Sequence, residues 1–130
     1  MVFGSVTVLV VEDDAFSLRF IGRILESLDV AGVISAGNGV EALEILQGTE
    51  SPIGLVISDI EMPDMDGYEL VRRIRYGTVP QYKDIPMLML TGQDTDDNVK
   101  KAQIHKIDGF IVKPPKASAI EIHMKKALGL

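Results

Sequence analysis

Short apolar runs rich in β-branched residues recur along the chain at 6–11, 32–36, 53–58, 86–91 and 109–112. Each is nearly continuous in apolarity, the pattern of strands covered on both faces. Between them, apolar positions recur at helical spacing over 15–28, 40–47, 66–76, 96–106 and 117–128. This alternation predicts an α/β domain: a parallel sheet with helices on both faces, joined by right-handed crossovers. The punctuation agrees. Gly37-Asn38-Gly39 turns the chain after the second strand, and the stretch from Gly48 to Pro52 stops the second helix. The stretch 77–84 is longer than the roughly two to six residues usual for such connections.

In an open parallel sheet, ligands bind at the carboxyl ends of the strands. Here those ends carry chemistry. The first strand runs into Glu12-Asp13-Asp14, the third into Asp59, the fourth into Thr91-Gly92 and the fifth into Lys113. Carboxylates brought together raise one another's pKa unless a cation sits among them. Oxygen donors alone suit a hard cation, so magnesium (or manganese) is the expected ion. Asp13 and Asp59 are the expected direct ligands, with the backbone carbonyl of Glu61; Glu12 is expected to act through water. A carboxylate in this setting can also attack a phosphoryl donor and become an aspartyl phosphate, since such transfer depends mainly on positioning and charge neutralisation. Lys113 supplies a point charge, Thr91 a hydroxyl and Gly92 an unobstructed N–H. Taken singly, the more common reading is structural: Asp59 as a turn or helix cap, Thr91 as a strand-end residue and Lys113 as a solvated loop residue. Their joint placement at one sheet edge favours the chemical reading.

Composition narrows the classes. The chain has 130 residues, 46% hydrophobic and 25% charged, which suits one soluble domain. It lacks cysteine, so disulfide and thiolate chemistry are excluded. No apolar run approaches the roughly 20 residues of a membrane span, and Met1 to Val11 lacks the features of a signal peptide. Membrane insertion is not expected, and a cytoplasmic location is. A net charge of −6 disfavours direct nucleic-acid binding. His105 and His123 fall on separate predicted helices and make no convincing metal pair.

The segments Val10-Val11-Glu12-Asp13-Asp14, Ile57-Ser58-Asp59-Ile60-Glu61-Met62-Pro63-Asp64-Met65-Asp66-Gly67, Leu90-Thr91-Gly92 and Val112-Lys113-Pro114 resemble the receiver domain of two-component response regulators. Asn38-Gly39-Val40-Glu41-Ala42-Leu43 also resembles its second helix. The resemblance spans nearly the whole chain. It implies a doubly wound five-stranded parallel sheet of order 2-1-3-4-5 with five flanking helices, as one receiver domain over 1–130 without an output domain. It implies that Asp59 accepts a phosphoryl group from a phosphohistidine on a histidine kinase or histidine phosphotransfer protein. The chain would then catalyse only its own phosphorylation and dephosphorylation. Thr91 would swing toward the phosphate, Phe110 would be the aromatic switch, and Lys113-Pro114 would be joined by a cis bond. The output surface would lie around the helix over 96–106, the last strand and the last helix, with the protein a monomer or a phosphorylation-dependent dimer.

Three positions depart from the family pattern. Glycine is usual near the end of the helix over 96–106, where this chain has His105-Lys106-Ile107. A left-handed Lys106 there would cost about 1 kcal/mol. Pro115 stands where a bulky apolar residue is common, and Phe110 lacks the hydroxyl of the frequent tyrosine.

On the first helix, Leu18, Ile21, Leu25 and Leu28 form the expected core stripe. Phe16, Phe20 and Ile24 form a second, offset stripe. Either this stripe widens the buried face, or Phe16 and Phe20 stay exposed beside the acidic site and dock the kinase. Glu61 and Gln93, each two residues past a site residue, are expected to control the water that hydrolyses the aspartyl phosphate. Two other classes compete with the switch. One is a pseudo-receiver, an interaction module that works without phosphate. The other is a magnesium-dependent phosphatase with an Asp nucleophile, which Met62-Pro63 and the rest of the chain do not fit.

Overall fold

A computed structural model describes residues 2–48, 52–92, 100 and 104–130. Its strands are β1 (Thr7–Val11), β2 (Gly32–Ala36), β3 (Leu55–Asp59), β4 (Met87–Thr91) and β5 (Gly109–Val112). They form one sheet of order β2-β1-β3-β4-β5, parallel throughout. Among the described residues four α-helices flank it: α1 (Ala15–Ser27), α2 (Gly39–Gly48), α3 (Gly67–Arg75) and α4 (Ala117–Leu128), with a 3-10 turn at Pro80–Tyr82. The count of five helices is therefore not reached. The helix expected over 96–106 falls mostly outside the described residues, of which Lys100, Ile104 and His105 are helical.

Strand periodicity explains the two-sided core. Successive side chains point to opposite faces, so Leu9, Val11, Val56, Met87 and Met89 pack under α2 and α3. Their neighbours Val8, Val10, Leu55, Ile57, Leu88 and Leu90 pack under α1 and α4. From the helices, Leu70, Val71 and Ile74 meet the first layer, and Ile21, Leu25 and Ile120 the second. Each such burial is worth about 1.5–3 kcal/mol. The long 77–84 connection is tied down as well. Val79 and Ile85 are buried, and the Tyr82 hydroxyl accepts the Ile53 N–H at 3.2 Å.

Helix starts follow side-chain capping. Asp14 Oδ2 accepts the Ser17 N–H at 3.0 Å, Asn38 Oδ1 the Glu41 N–H at 2.8 Å, and Asp66 Oδ1 the Glu69 N–H at 2.8 Å. Asp66 is thus a cap preceding α3, not its first helical residue. β3 starts two residues later and ends one residue later than its apolar run suggested; Gly54 N–H bonds Thr7 O before the ladder begins. Asp59 is consequently the last residue of the strand itself.

β1 and β3 are adjacent, yet the chain leaves β1 outward to β2 and crosses back to β3. Their carboxyl ends therefore bound the crevice where doubly wound sheets bind ligands.

Candidate functional site: an acidic cluster closed by Lys113

Parallel registration brings the strand ends level. Val11 pairs with Ser58, Asp59 with Leu90, and Thr91 with Val112. Backbone bonds extend this past the strands: Glu12 N–H to Ala36 O at 3.0 Å, Ile60 N–H to Leu90 O at 3.2 Å, and Lys113 N–H to Thr91 O at 2.8 Å. One carboxylate oxygen from each of Glu12, Asp13 and Asp59 lies within 4.8 Å of the others. Glu12 is 2% exposed and Asp59 6%, whereas Asp13 faces solvent.

The three consecutive acids divide their work. Asp14 caps α1, and its Oδ2 also accepts the Ser17 hydroxyl at 2.7 Å. Those bonds hold its pKa below the usual carboxylate range. Asp13 projects outward into the metal-ligand group. Glu12 turns inward, its Oε1 accepting the Asp14 N–H at 3.1 Å.

Lys113 joins this group from 54 residues beyond Asp59, the two held 2.7 Å apart between Nζ and Asp59 Oδ2, and it reaches Glu12 Oε2 at 3.3 Å. The Lys113-Pro114 bond is cis. Burial pushes the Glu12 carboxyl above its ordinary range, and the Asp59 charge adds to this against the Asp14 amide and Lys113. For Lys113 burial disfavours the ammonium, but the hydrogen bond and charge of Asp59, with Glu12, outweigh it and raise its pKa. Lys113 thus places a cation among these acids.

The oxygen-only donor set fits a hard divalent ion. Glu12, Asp13 and Asp59 are the side chains placed to hold it. Glu61 sits exposed in the bend after β3, within two residues of Asp59. That bend is folded tightly: Gly67 N–H bonds Ile60 O at 2.7 Å, and a Cβ on Gly67 would lie 2.4 Å from the Asp59 carbonyl oxygen. Asp64 there adopts φ of 68°. Glycine at 67 lets α3 start against the strand carrying Asp59.

The other expected residues are placed as follows. Thr91, 8% exposed, ends β4 next to the cluster, with Gly92 after it. Phe110 is half-buried on β5 and packs with the α2–α3 side of the core. Phe16 is 70% exposed and Phe20 42%, while Ile24, placed with them by periodicity, is buried. His105 meets the Tyr68 ring at 6.0 Å and His123 lies beside Gly109, and neither belongs to the group of Glu12, Asp13 and Asp59. Gln93 lies outside the described residues.

Lys106 does adopt the left-handed conformation, at φ of 56°. Sequence reasoning missed what holds it. Arg75, at the end of α3, donates to Lys106 O from Nε at 3.2 Å and Nη2 at 2.8 Å. Its Nη1 donates to Lys83 O at 2.9 Å, and Asp108 lies 3.5 Å away. Asp108 in turn accepts the Met87 N–H at 2.8 Å. No local signal marks Arg75, since these partners are 8 and 31 residues distant.

The family model of the response regulator receiver domain matches residues 8–125. The chain belongs to this family. A chemotaxis protein CheY homolog of Campylobacter jejuni is 32% identical over 121 residues, 93% of this chain and 91% of that protein. Chemotaxis protein CheV2 of Helicobacter pylori is 30% identical over 125 residues, 93% of this chain and 38% of that protein. The solved structure of Vibrio cholerae chemotaxis protein CheY4 superimposes with a TM-score of 0.85 at 28% identity, covering 95% of this chain and 99% of that one. As a receiver domain, the chain is of a class of signalling switches and not of classical enzymes. No helix among the described residues is long and apolar enough to cross a membrane.

Proposed function

We infer that this receiver domain is a switch phosphorylated on Asp59. The observation that carries the reading is the ion pair of Lys113 Nζ with buried Asp59 at 2.7 Å, inside a triad of carboxylates. The phosphoryl donor is a phosphohistidine on a histidine kinase or histidine phosphotransfer protein. A carboxylate oxygen of Asp59 bonds to phosphorus as the P–N bond to the imidazole breaks, and the departing ring nitrogen takes a proton from solvent. Lys113 offsets negative charge at the acceptor, and Thr91 supplies a hydroxyl from the end of β4. Asp13, Asp59 and the Glu61 carbonyl would hold magnesium (or manganese), with Glu12 acting through water. The ion's contribution when bound is charge neutralisation between acceptor and phosphoryl oxygens.

Thr91 and Phe110 form the switch pair. Phosphorylation changes the surface of β5, α4 and the helix expected over 96–106, altering affinity for a downstream partner or a second copy of the domain. The domain acts in the cytoplasm, without membrane insertion or direct nucleic-acid contact.

The exposed pair Phe16 and Phe20 lies beside Lys113 and Pro114 along a groove of about 430 Å³. It is the docking surface for the phosphohistidine donor. Phe20→Ala is expected to slow transfer from that donor about tenfold and to spare a small phosphodonor. Equal slowing of both would remove Phe20 from docking.

The reading is tested by incubating the protein with a small acyl phosphate and magnesium and weighing it intact. The expected product is one phosphate adduct, lost on chelation and in Asp59→Asn. The absence of any adduct would favour an interaction module that works without phosphate.

A further inference from the structure

Ser58 puts a hydroxyl into an apolar layer. Strand side chains alternate between faces, so Ser58, two residues after Val56, faces the layer under α2 and α3. Its register partners there are Val11 on β1 and Met89 on β4, and all three residues are fully buried. Packing alone favours an apolar side chain at this position, because a hydroxyl taken out of water costs stability unless it is bonded. The Ser58 hydroxyl is bonded: it donates to the Asp59 carbonyl oxygen at 2.9 Å. The same oxygen is the atom that a Cβ on Gly67 would strike.

That carbonyl lies between the two groups this segment offers to an ion. The Asp59 side chain leaves the backbone just before it, and its peptide leads through Ile60 to Glu61. Rotation about the Asp59 Cα–C bond therefore sets how the Asp59 carboxylate and the Glu61 carbonyl stand to one another. Two backbone bonds brace the outgoing chain, Ile60 N–H to Leu90 O at 3.2 Å and Gly67 N–H to Ile60 O at 2.7 Å. Both act on Ile60. The Ser58 hydroxyl acts on Asp59 itself.

We propose that Ser58 is a positioning residue for the metal: its hydroxyl fixes the Asp59–Ile60 peptide so that the Asp59 carboxylate and the Glu61 carbonyl converge on one magnesium ion. This rests on the reading of the crevice as a magnesium-binding phosphoacceptor site. Groups that hold metal ligands in place without touching the metal act strongly on affinity. Magnesium demands near-ideal octahedral geometry, whereas calcium accepts a looser and more variable set of oxygens. Loss of the hydroxyl therefore costs magnesium more than calcium, a change of selectivity that a loss of stability alone does not produce.

The test uses Ser58→Ala, Ser58→Thr and Ser58→Val in the full chain. Each isotopically labelled variant is titrated with magnesium alone and with calcium alone, followed by amide NMR shifts. Its own amide spectrum reports whether it is folded. Alanine deletes the hydroxyl. Threonine and valine share one shape and differ in the hydroxyl, so comparing them removes the effect of the added bulk. Magnesium binding is expected to weaken about tenfold in Ser58→Ala against the unsubstituted protein, and about tenfold in Ser58→Val against Ser58→Thr. Calcium binding should change by about twofold or less. In urea, Ser58→Val should be at least as stable as Ser58→Thr, because its neighbours are apolar. Magnesium affinity that ignores the hydroxyl in both comparisons, or magnesium and calcium weakened alike, would overturn the proposal. The unsubstituted protein separates the causes. If it binds magnesium and the variants match it, only the role of Ser58 is lost, whereas no magnesium binding by the unsubstituted protein removes the metal reading beneath it.

Discussion

The acidic crevice and the turn leading into β5 are both special structure, but they are held in opposite ways. At the crevice, Asp59 and Thr91 end strands, and Glu12 directly follows one, whose side chains are buried on both faces, so packing sets their positions. Lys113 ties Glu12 and Asp59 together by side-chain bonds. At the turn the left-handed Lys106 is clamped by the guanidinium of Arg75, which reaches two backbone carbonyls across separate segments. A site built on rigid strand ends keeps its geometry when a loop changes. A turn held by one side chain can be released by altering that side chain.

The comparison is broken most severely by Gly67→Ala. The new Cβ would meet the Asp59 carbonyl oxygen at 2.4 Å and Ile60 Cα at 3.0 Å, both backbone atoms. The expected loss is about 3 kcal/mol in urea denaturation, with weakened magnesium binding by calorimetry because Asp59 itself must move. A change confined to stability, with magnesium binding intact, would show that the crevice tolerates a shift of α3.

Arg75→Ala attacks the other region. Three hydrogen bonds are lost, but the Lys106 and Lys83 carbonyls can be rehydrated, so about 2 kcal/mol is expected. Arg75→Lys should recover little, because an ammonium cannot fork to two carbonyls. Magnesium affinity should stay unchanged in both variants. If it fell with stability, the two regions would be one mechanical unit.

Lys106→Gly sharpens the contrast at the smallest scale. Relief of the left-handed conformation is worth about 1 kcal/mol, and glycine's greater freedom in the unfolded chain returns about half of it. A net gain near 0.5 kcal/mol is expected from the denaturation midpoint, since the carbonyl that Arg75 binds is retained.

The sheet was legible because its strands are nearly continuous in apolarity, and the central β1, β3 and β4 are indeed buried on both faces while the edge strands β2 and β5 are partly exposed. The strand-tip acids were legible because such runs end abruptly in charge. Boundaries slipped where long-range bonds decide them: Gly54 answers to Thr7, and Tyr82 to Ile53. The stripe Phe16, Phe20, Ile24 could not be divided from periodicity, since Phe16 and Phe20 lie past the edge of what the sheet covers while Ile24 does not. The missing glycine at 106 foretold the strained turn but not the arginine that holds it.

The most direct measurement is chemical mapping of the phosphorylated residue. Protein treated with acyl phosphate and magnesium is reduced with borohydride, which converts an aspartyl phosphate to homoserine, and the digest is sequenced by mass spectrometry. Homoserine at position 59 alone is the predicted result. Homoserine at 13, the corresponding 2-amino-5-hydroxypentanoic acid at Glu12, or a chain that carries neither after treatment, would contradict Asp59 as the phosphoacceptor.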